Sequence, residues 1–318
     1  MEASNNQPHK EEDLGFGKKL SSRRSRLINK DGSFNVRRTG GGLGAIHPYQ
    51  VLISMSWWQF WCSILLGYLV INALFALGYM AIGLDQLAGW ELEGSRSLWK
   101  KFSYTFFFST QTFTTVGYGS ISPTGSGANW LASMEAMVGL LSFAVATGVL
   151  FGRFSKPSAK IACSPRMVVA PYRDGKALMF RIGNRRQNQL INLRVKLTMA
   201  YHDRPEDGDS QYFSQLPLER ESVDLFPLSW TVVHDIDEKS PLYGWDAEAM
   251  EAHSAEFIVV VSGYDDTFAQ EVHTRTSYRY EEVLWGARFI PAFYTDDNGI
   301  MVLEVDKIGI CERAELPK

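Results

Sequence analysis

Charge is distributed along this chain in a way that few folds tolerate. From Gly40 to Leu84 there is no Asp, Glu, Lys or Arg, and from Phe102 to Gly152 the only one is Glu135. The charged fraction of 21% is therefore an average over two unlike regions. Within the first stretch, WQFWCSILLGYLVINALFALGYMAIG (Trp58 to Gly83) exceeds the roughly 20 apolar residues needed to cross about 30 Å of hydrocarbon. Asn129 to Phe154 is the second such segment, with Trp130 and Phe154 near its ends, where interfacial aromatics are favoured. No further segment qualifies, so the chain is expected to span a membrane twice.

The flanks predict the orientation. Lys18, Lys19, Arg23, Arg24, Arg26, Lys30, Arg37 and Arg38 precede the first span, and Arg153, Lys156 and Lys160 follow the second. The positive-inside rule puts both termini in the cytoplasm and the connection carrying Asp85, Glu91 and Glu93 outside. The N-terminus lacks an apolar core with a small-residue cleavage site, so the first span is expected to act as the targeting signal. The implied location is the cell's inner (plasma) membrane. A net charge of −3 hides a basic N-terminal arm, which suits anionic lipid and not nucleic acid. Cys62, Cys163 and Cys311 suit neither a zinc site nor, in the cytosol, a disulfide framework.

Between the spans, LWKKFSYTFFFSTQTFT (Leu98 to Thr114) is apolar and helical in pattern but too short to cross, which reads as a re-entrant or buried helix. It runs into Thr115, Val116, Gly117, Tyr118 and Gly119. Irregular backbone at membrane depth survives only when buried in protein or lining a water-filled path. Glycine reaches positive φ at little steric cost, so Gly117 and Gly119 let successive carbonyls turn to one side, where they can replace water around an ion. The TVGYG run resembles the filter loop of potassium channels, in which four loops contribute rings of carbonyls. That resemblance implies K+ sites at Thr115, Val116, Gly117 and Tyr118, with Gly119 closing the outer turn, in a homotetramer.

The remainder of the chain changes texture. HPYQVLISMS (47–56) has Pro48 at a plausible first helical position and Val51, Leu52 and Met55 at helical spacing, which predicts an interfacial helix or a simple extension of the first span. KDG in SRLINKDGSFNVRR marks a turn between two strand-like pieces. After Phe154, LINLRVKLTMAY alternates, with Ile191, Leu193, Val195, Leu197 and Met199 on one face and Asn192, Arg194, Lys196 and Thr198 on the other. ALMFRIGN, EFIVVVSGY and GIMVLEVDKIG are further strand candidates. The expected class is an α+β membrane protein. Residues 1–46 are an arm, 47–56 an interfacial helix and 57–156 a membrane domain (helices 57–83, 98–114 and 129–154, filter 115–119). Residues 157–318 form an all-β sandwich.

RSRLINKDGSFNV, RIGNRRQNQLI, DIDEKSPLYG and RTSYRYEEVLWGARFIP, in that order, resemble the inward-rectifier potassium channels, the prokaryotic (KirBac) branch in particular. The resemblance implies a tetramer whose immunoglobulin-like cytoplasmic domains extend the pore, no cofactor, and K+ as the permeant ion. By position, 47–56 becomes the slide helix, Phe151 the bundle-crossing gate and Phe143 a second narrow ring, lipid or interhelical packing being the alternative for both. Gly139 and Gly148 suit either bending or close packing. GYDDTFA, Gly263 to Ala269, resembles the cytoplasmic constriction. There Asp265 and Asp266 either attract cations or form an ordinary turn. Arg153 and Lys156 match basic positions that bind phosphoinositide, although Ser158 stands where the family has another lysine. Prokaryotic members tend to be inhibited by this lipid, which points to inhibition here.

Departures from the family pattern carry expectations of their own. Strong rectifiers hold polyamines or Mg2+ with pore acids, and the corresponding positions here are Phe143, Asn192 and Ser262, so weak block is expected. Gln111 and Ile121 replace the salt bridge behind the filter. Glu135 either compensates by hydrogen-bonding there or faces the pore or lipid. A non-conducting receptor would leave TVGYG unexplained. An enzyme would rest on His202-Asp203 and His234-Asp235, which read better as solvated turn residues.

Overall fold

The structure, a computed structural model, describes residues 26–37, 47–89, 97–155, 160–186, 188–202, 211–226 and 228–317. The chain divides into two compact units, Thr39–Lys156 and the combination of Met1–Arg38 with Pro157–Lys318.

In the helical unit, α1 (Pro48–Ser54) begins on a proline, whose missing N–H would have no partner in a first turn anyway. Ser56 then caps α2 (Trp57–Ile82) reciprocally: its hydroxyl accepts from the Gln59 N–H, and Gln59 Oε1 accepts from the Ser56 N–H. Gly83 ends α2 at φ +113°. The short β1 (Leu87–Ala88), α3 (Leu98–Phe113), β2 (Ser122–Pro123) and α4 (Ser126–Phe154) follow, with β1 and β2 paired antiparallel. The second span thus begins at Ser126 and not at the expected Asn129. Its start is held from a distance, because the Gln86 carbonyl accepts from the Thr124 N–H at 2.8 Å and Gln86 Oε1 from the Ala128 N–H at 3.2 Å. Helices of 26 and 29 residues reach about 40 Å, enough to cross hydrocarbon. Only 17% of the most apolar window in each is buried, whereas the core helix of a soluble protein would be mostly covered.

The β unit contains β3 (Ile161–Cys163), β4 (Met167–Tyr172), β5 (Gly175–Asn184), β6 (Leu190–His202), β7 (Gln211–Leu216), β8 (Ser222–Leu225) and β9 (Ser229–Asp235). After α5 (Ala247–Ala252) come β10 (Glu256–Asp265), β11 (Gln270–Arg279), β12 (Val283–Trp285), β13 (Ala287–Phe289), β14 (Phe293–Thr295), β15 (Met301–Leu303) and β16 (Cys311–Arg313). One sheet runs β11-β10-β6-β7 with β8 also on β6, and the other β12-β4-β5-β3 with β9 also on β5. Phe180, Ile182 and Val232 of the second sheet share one buried core with Leu193, Val195, Leu197, Phe257 and Val259 of the first, which makes a sandwich.

Chain ends cover the outer faces. Leu27 and Ile28 pack on Ala200, Phe213 and Ile258, and both backbone N–H groups donate to the Glu256 carboxylate. Residues 26–37 therefore belong to the β unit and not to a separate arm. The KDG segment makes the turn that the sequence suggests, with Gly32 at φ +82° where a Cβ would stand 2.6 Å from the Arg275 carbonyl. On the other sheet, Val168, Ala170 and Met179 lie under Ala287, Leu284 and Phe289.

Two strand expectations are corrected. Asn192 takes φ +51° at a bulge opposite Gly263, so the phase of β6 shifts: Leu190, and not Ile191, joins the core with Leu193. GIMVLEVDKIG is a strand only over Met301–Leu303 and then turns at Val305–Lys307, letting Ile308 bury against Ala162 and Ala292. His202 and His234, expected in solvated turns, are both buried strand residues, whereas Asp203 lies outside the described residues.

Candidate ion-conduction site

The TVGYG run leaves the C-terminal end of α3, where unsatisfied carbonyls and the helix dipole concentrate negative partial charge. Thr115, Gly117 and Gly119 have φ of +59°, +51° and +81°, whereas Val116 and Tyr118 between them do not cross to positive values. Alternation of hand along a chain points successive N–H groups to one side and successive carbonyls to the other. Three N–H groups of the run return to the end of α3: Val116 and Gly117 both donate to the Gln111 carbonyl, at 2.9 and 3.3 Å, and Thr115 donates to the Thr112 carbonyl at 3.0 Å. Nothing lies within 4 Å of where a Cβ would stand on Gly117 or Gly119, so their requirement is conformational and not steric. Val116 and Tyr118 are exposed in the single chain.

A buried polar cluster joins α2, α3 and α4. Glu135 on α4 is fully buried, accepts from the Tyr79 hydroxyl of α2 at 2.6 Å, and hydrogen-bonds to the Ser109 hydroxyl of α3. Ser109 Oγ is 3.0 Å from Asn72 Oδ1, and Asn72 Nδ2 donates to the Tyr68 carbonyl at 2.7 Å. Glu135 therefore joins α4 to α2 and α3 through buried hydrogen bonds. Tyr79 also meets Phe108 edge-on at 4.9 Å. Gly139 is a packing residue: a Cβ there would stand 2.1 Å from the Phe113 carbonyl, so α4 passes directly beneath the end of α3. Gly148 has open space around it.

Phe143 and Phe151 of α4 are exposed in the single chain. Arg153 is half-buried. Its guanidinium donates to the Leu52 carbonyl and, at 2.8 Å, to that of Met55, and it lies over the rings of Trp57 and Phe60 at 4.6 and 4.7 Å. It therefore clasps the C-terminal end of α1 to α4, and Tyr49 packs where Gly152 leaves room. Lys156 and Ser158 lie outside the described residues. In the β unit, Gly263 opposes the Asn192 bulge, where a Cβ would come within 2.8 Å of Leu193 Cδ1, and Ala269 closes the β10–β11 hairpin at φ +50°. Asp265 is fully buried and accepts from Asn188 at 2.6 Å and from the Thr267 N–H at 3.0 Å, so it braces the turn, while Asp266 is exposed.

Sequence reasoning missed Asn72, Tyr79, Ser109, Gln86 and Gly152. Asn72 and Ser109 leave a signal, a polar residue in an apolar segment; the other three do not.

A loop whose φ alternates in sign, set on a short helix between two helices long and apolar enough to cross a membrane, characterises the helical unit. The family model for ion channels matches residues 63–156, and that for the inward rectifier potassium channel C-terminal domain matches 161–318. The chain is 38% identical to the inward rectifier potassium channel Kirbac3.1 of Paramagnetospirillum magnetotacticum, over 92% of this chain and 97% of that one. It is 27% identical to the ATP-sensitive inward rectifier potassium channel 12 of Gallus gallus, over 89% and 72%. A solved structure, the sporulation control protein Spo0M of Bacillus subtilis, matches 43% of this chain and 59% of its own at a TM-score of 0.23 and 10% identity, too low to bear on the fold. The chain belongs to the inward rectifier potassium channels, within their prokaryotic branch. Its family is one of ion channels and not of enzymes.

Proposed function

We propose that four copies of this chain surround one axis and pass K+ through rings of carbonyls from Thr115, Val116, Gly117 and Tyr118, with Gly119 closing the outer turn. One observation carries the reading: φ changes sign residue by residue from Thr115 to Gly119, while the N–H groups of Thr115, Val116 and Gly117 are bonded to the end of α3. One chain provides one column of carbonyls, and an ion stripped of water needs a ring of them. α3 is then the re-entrant pore helix, Glu135 supports the filter from behind, and both termini are cytoplasmic in the inner membrane.

The gates follow from the same arrangement. Exposed Phe143 and Phe151 form apolar rings that close the pore by dewetting, and the Gly263 to Ala269 hairpin forms the cytoplasmic constriction. Phosphoinositide acts at Arg153 and Lys156. Because Arg153 holds the carbonyls of Leu52 and Met55, a headgroup that recruits this guanidinium competes with the α1 clasp, which links lipid binding to α1. Inhibition is the expected sign. Phe143, Asn192 and Ser262 provide no acid to hold polyamines or Mg2+, so block is weak; steep voltage-dependent block by micromolar spermine would contradict this.

The test is uptake of radioactive Rb+ into liposomes holding the purified protein. Uptake that Ba2+ stops and Na+ does not compete with supports the filter, and added phosphatidylinositol bisphosphate should reduce it. Folded tetramers without flux in any lipid would overturn the reading.

A further inference from the structure

Counting hydrogens in the buried cluster behind α3 assigns a protonation state. Asn72, Ser109 and Glu135 are all fully buried, so no water completes their contacts. The Tyr68 backbone carbonyl can only accept, so the Asn72 group 2.7 Å from it is the amide NH2, which leaves Asn72 Oδ1 facing Ser109 Oγ at 3.0 Å. Oδ1 can only accept as well, and the single hydroxyl hydrogen of Ser109 must go to it. Ser109 Oγ also touches Glu135 Oε1, and the hydrogen in that contact has one remaining source, the carboxyl group itself. The other oxygen, Oε2, accepts from Tyr79 at 2.6 Å, as the carbonyl oxygen of a neutral acid does. An ionised Glu135 would instead leave two buried acceptors facing each other without a hydrogen.

We infer that Glu135 carries its proton in the folded channel and acts as a neutral donor, the head of a chain running Glu135 to Ser109 to Asn72 to Tyr68. Among the described residues of the three helices, no counter-charge is at hand. α2 has no Lys, Arg or His, the one cation of α4 is Arg153, engaged at α1, and Lys100 and Lys101 lie on the first turn of α3, about 12 Å along the helix from Ser109. Glu135 is thus a positioning residue that ties α3 to both spans without placing an ion beside the filter. Its role in conduction rests on α3 being the pore helix; the proton assignment does not.

The experiment is infrared spectroscopy of the full-length protein in lipid at neutral pH, comparing wild type with Glu135→Gln, alongside Rb+ uptake. The wild type should show a protonated-carboxyl absorption that Glu135→Gln lacks. Ser109→Ala should move that band to higher frequency as the acid loses its acceptor, which assigns it independently. Glu135→Gln, which keeps a neutral donor and an acceptor, should retain Ba2+-sensitive uptake to within about threefold, while Glu135→Ala loses on the order of tenfold or more. Carboxylate bands in place of the acid band, or a Glu135→Gln protein that fails to fold or conducts no better than Glu135→Ala, would overturn the proposal. A wild type that shows the acid band but no flux in any lipid would overturn the pore reading and leave the proton in place.

Discussion

Phe180, Phe257 and Tyr278 of the β unit are fully buried by strands of their own chain, whereas Trp58, Phe143 and Phe151 of the helical unit stand 79%, 73% and 72% exposed. The contrast extends to what each unit hides. The sandwich interior is mostly apolar, while the helical unit encloses Asn72, Ser109 and Glu135 and turns its large apolar side chains outward. A soluble fold is driven by removing apolar surface from water. In lipid that drive is absent between helices, so close packing and hydrogen bonds hold them together. The β unit buries its large side chains within one chain, whereas the helical unit leaves many of its own exposed.

The comparison breaks most visibly at the filter. Gly117→Ala forces a side chain into the left-handed region at about 1–2 kcal/mol per residue, repeated in every copy, and should abolish Ba2+-sensitive Rb+ uptake without changing thermal unfolding of the β unit. Wild-type uptake by this variant would mean that the backbone geometry of 115–119 is not what selects the ion. Next in size, Phe257→Ala should destabilise the β unit by about 3–5 kcal/mol, read as a lower Tm, whereas Leu66→Ala on the exposed face of α2 should stay within about 0.5 kcal/mol. A large effect of Leu66→Ala would show that its face is packed in the assembly.

Gly139→Ala and Gly148→Ala separate tight from open ground on one helix. The first puts a Cβ against the Phe113 carbonyl and should cost about 1–3 kcal/mol of stability in the helical unit, judged by thermal unfolding of the protein in lipid. The second should be neutral or gain about 0.5–1 kcal/mol. If Gly148→Ala alone alters opening, that glycine is the hinge.

The smallest effect is a pH dependence confined to the β unit. His234 sits between the Pro217 carbonyl and Ser240 Oγ, at 2.6 and 2.8 Å, and burial holds its pKa below the usual histidine value. The unfolded chain then binds more protons than the folded one. Stability is therefore intact above the unfolded value, about 6.5, and falls as pH drops below it. Denaturant melts at successive pH values should show that slope in wild type and a flatter one in His234→Gln.

Much of this molecule is legible in its order of residues. Both spans follow from the uncharged stretches, and the irregular loop at 115–119 from two glycines flanking an aromatic after a helix too short to cross. Alternation marks β6 as a half-buried strand. Alternation fails at Ile191, because a bulge adds a residue without leaving a mark in a period of two. Asp265 likewise reads as a surface acid, and only the approach of Asn188 makes it a buried brace.

What the sequence determined by itself was therefore local: where the chain can cross lipid, where it can turn left-handed, and which residues alternate. The tertiary structure decided the partners. It joined Glu135 to Tyr79 and Ser109, Arg153 to Leu52 and Met55, and Gln86 to the start of α4. Each contact links residues far apart in the chain, and a periodic pattern reports only the near neighbours of a residue along its own helix or strand.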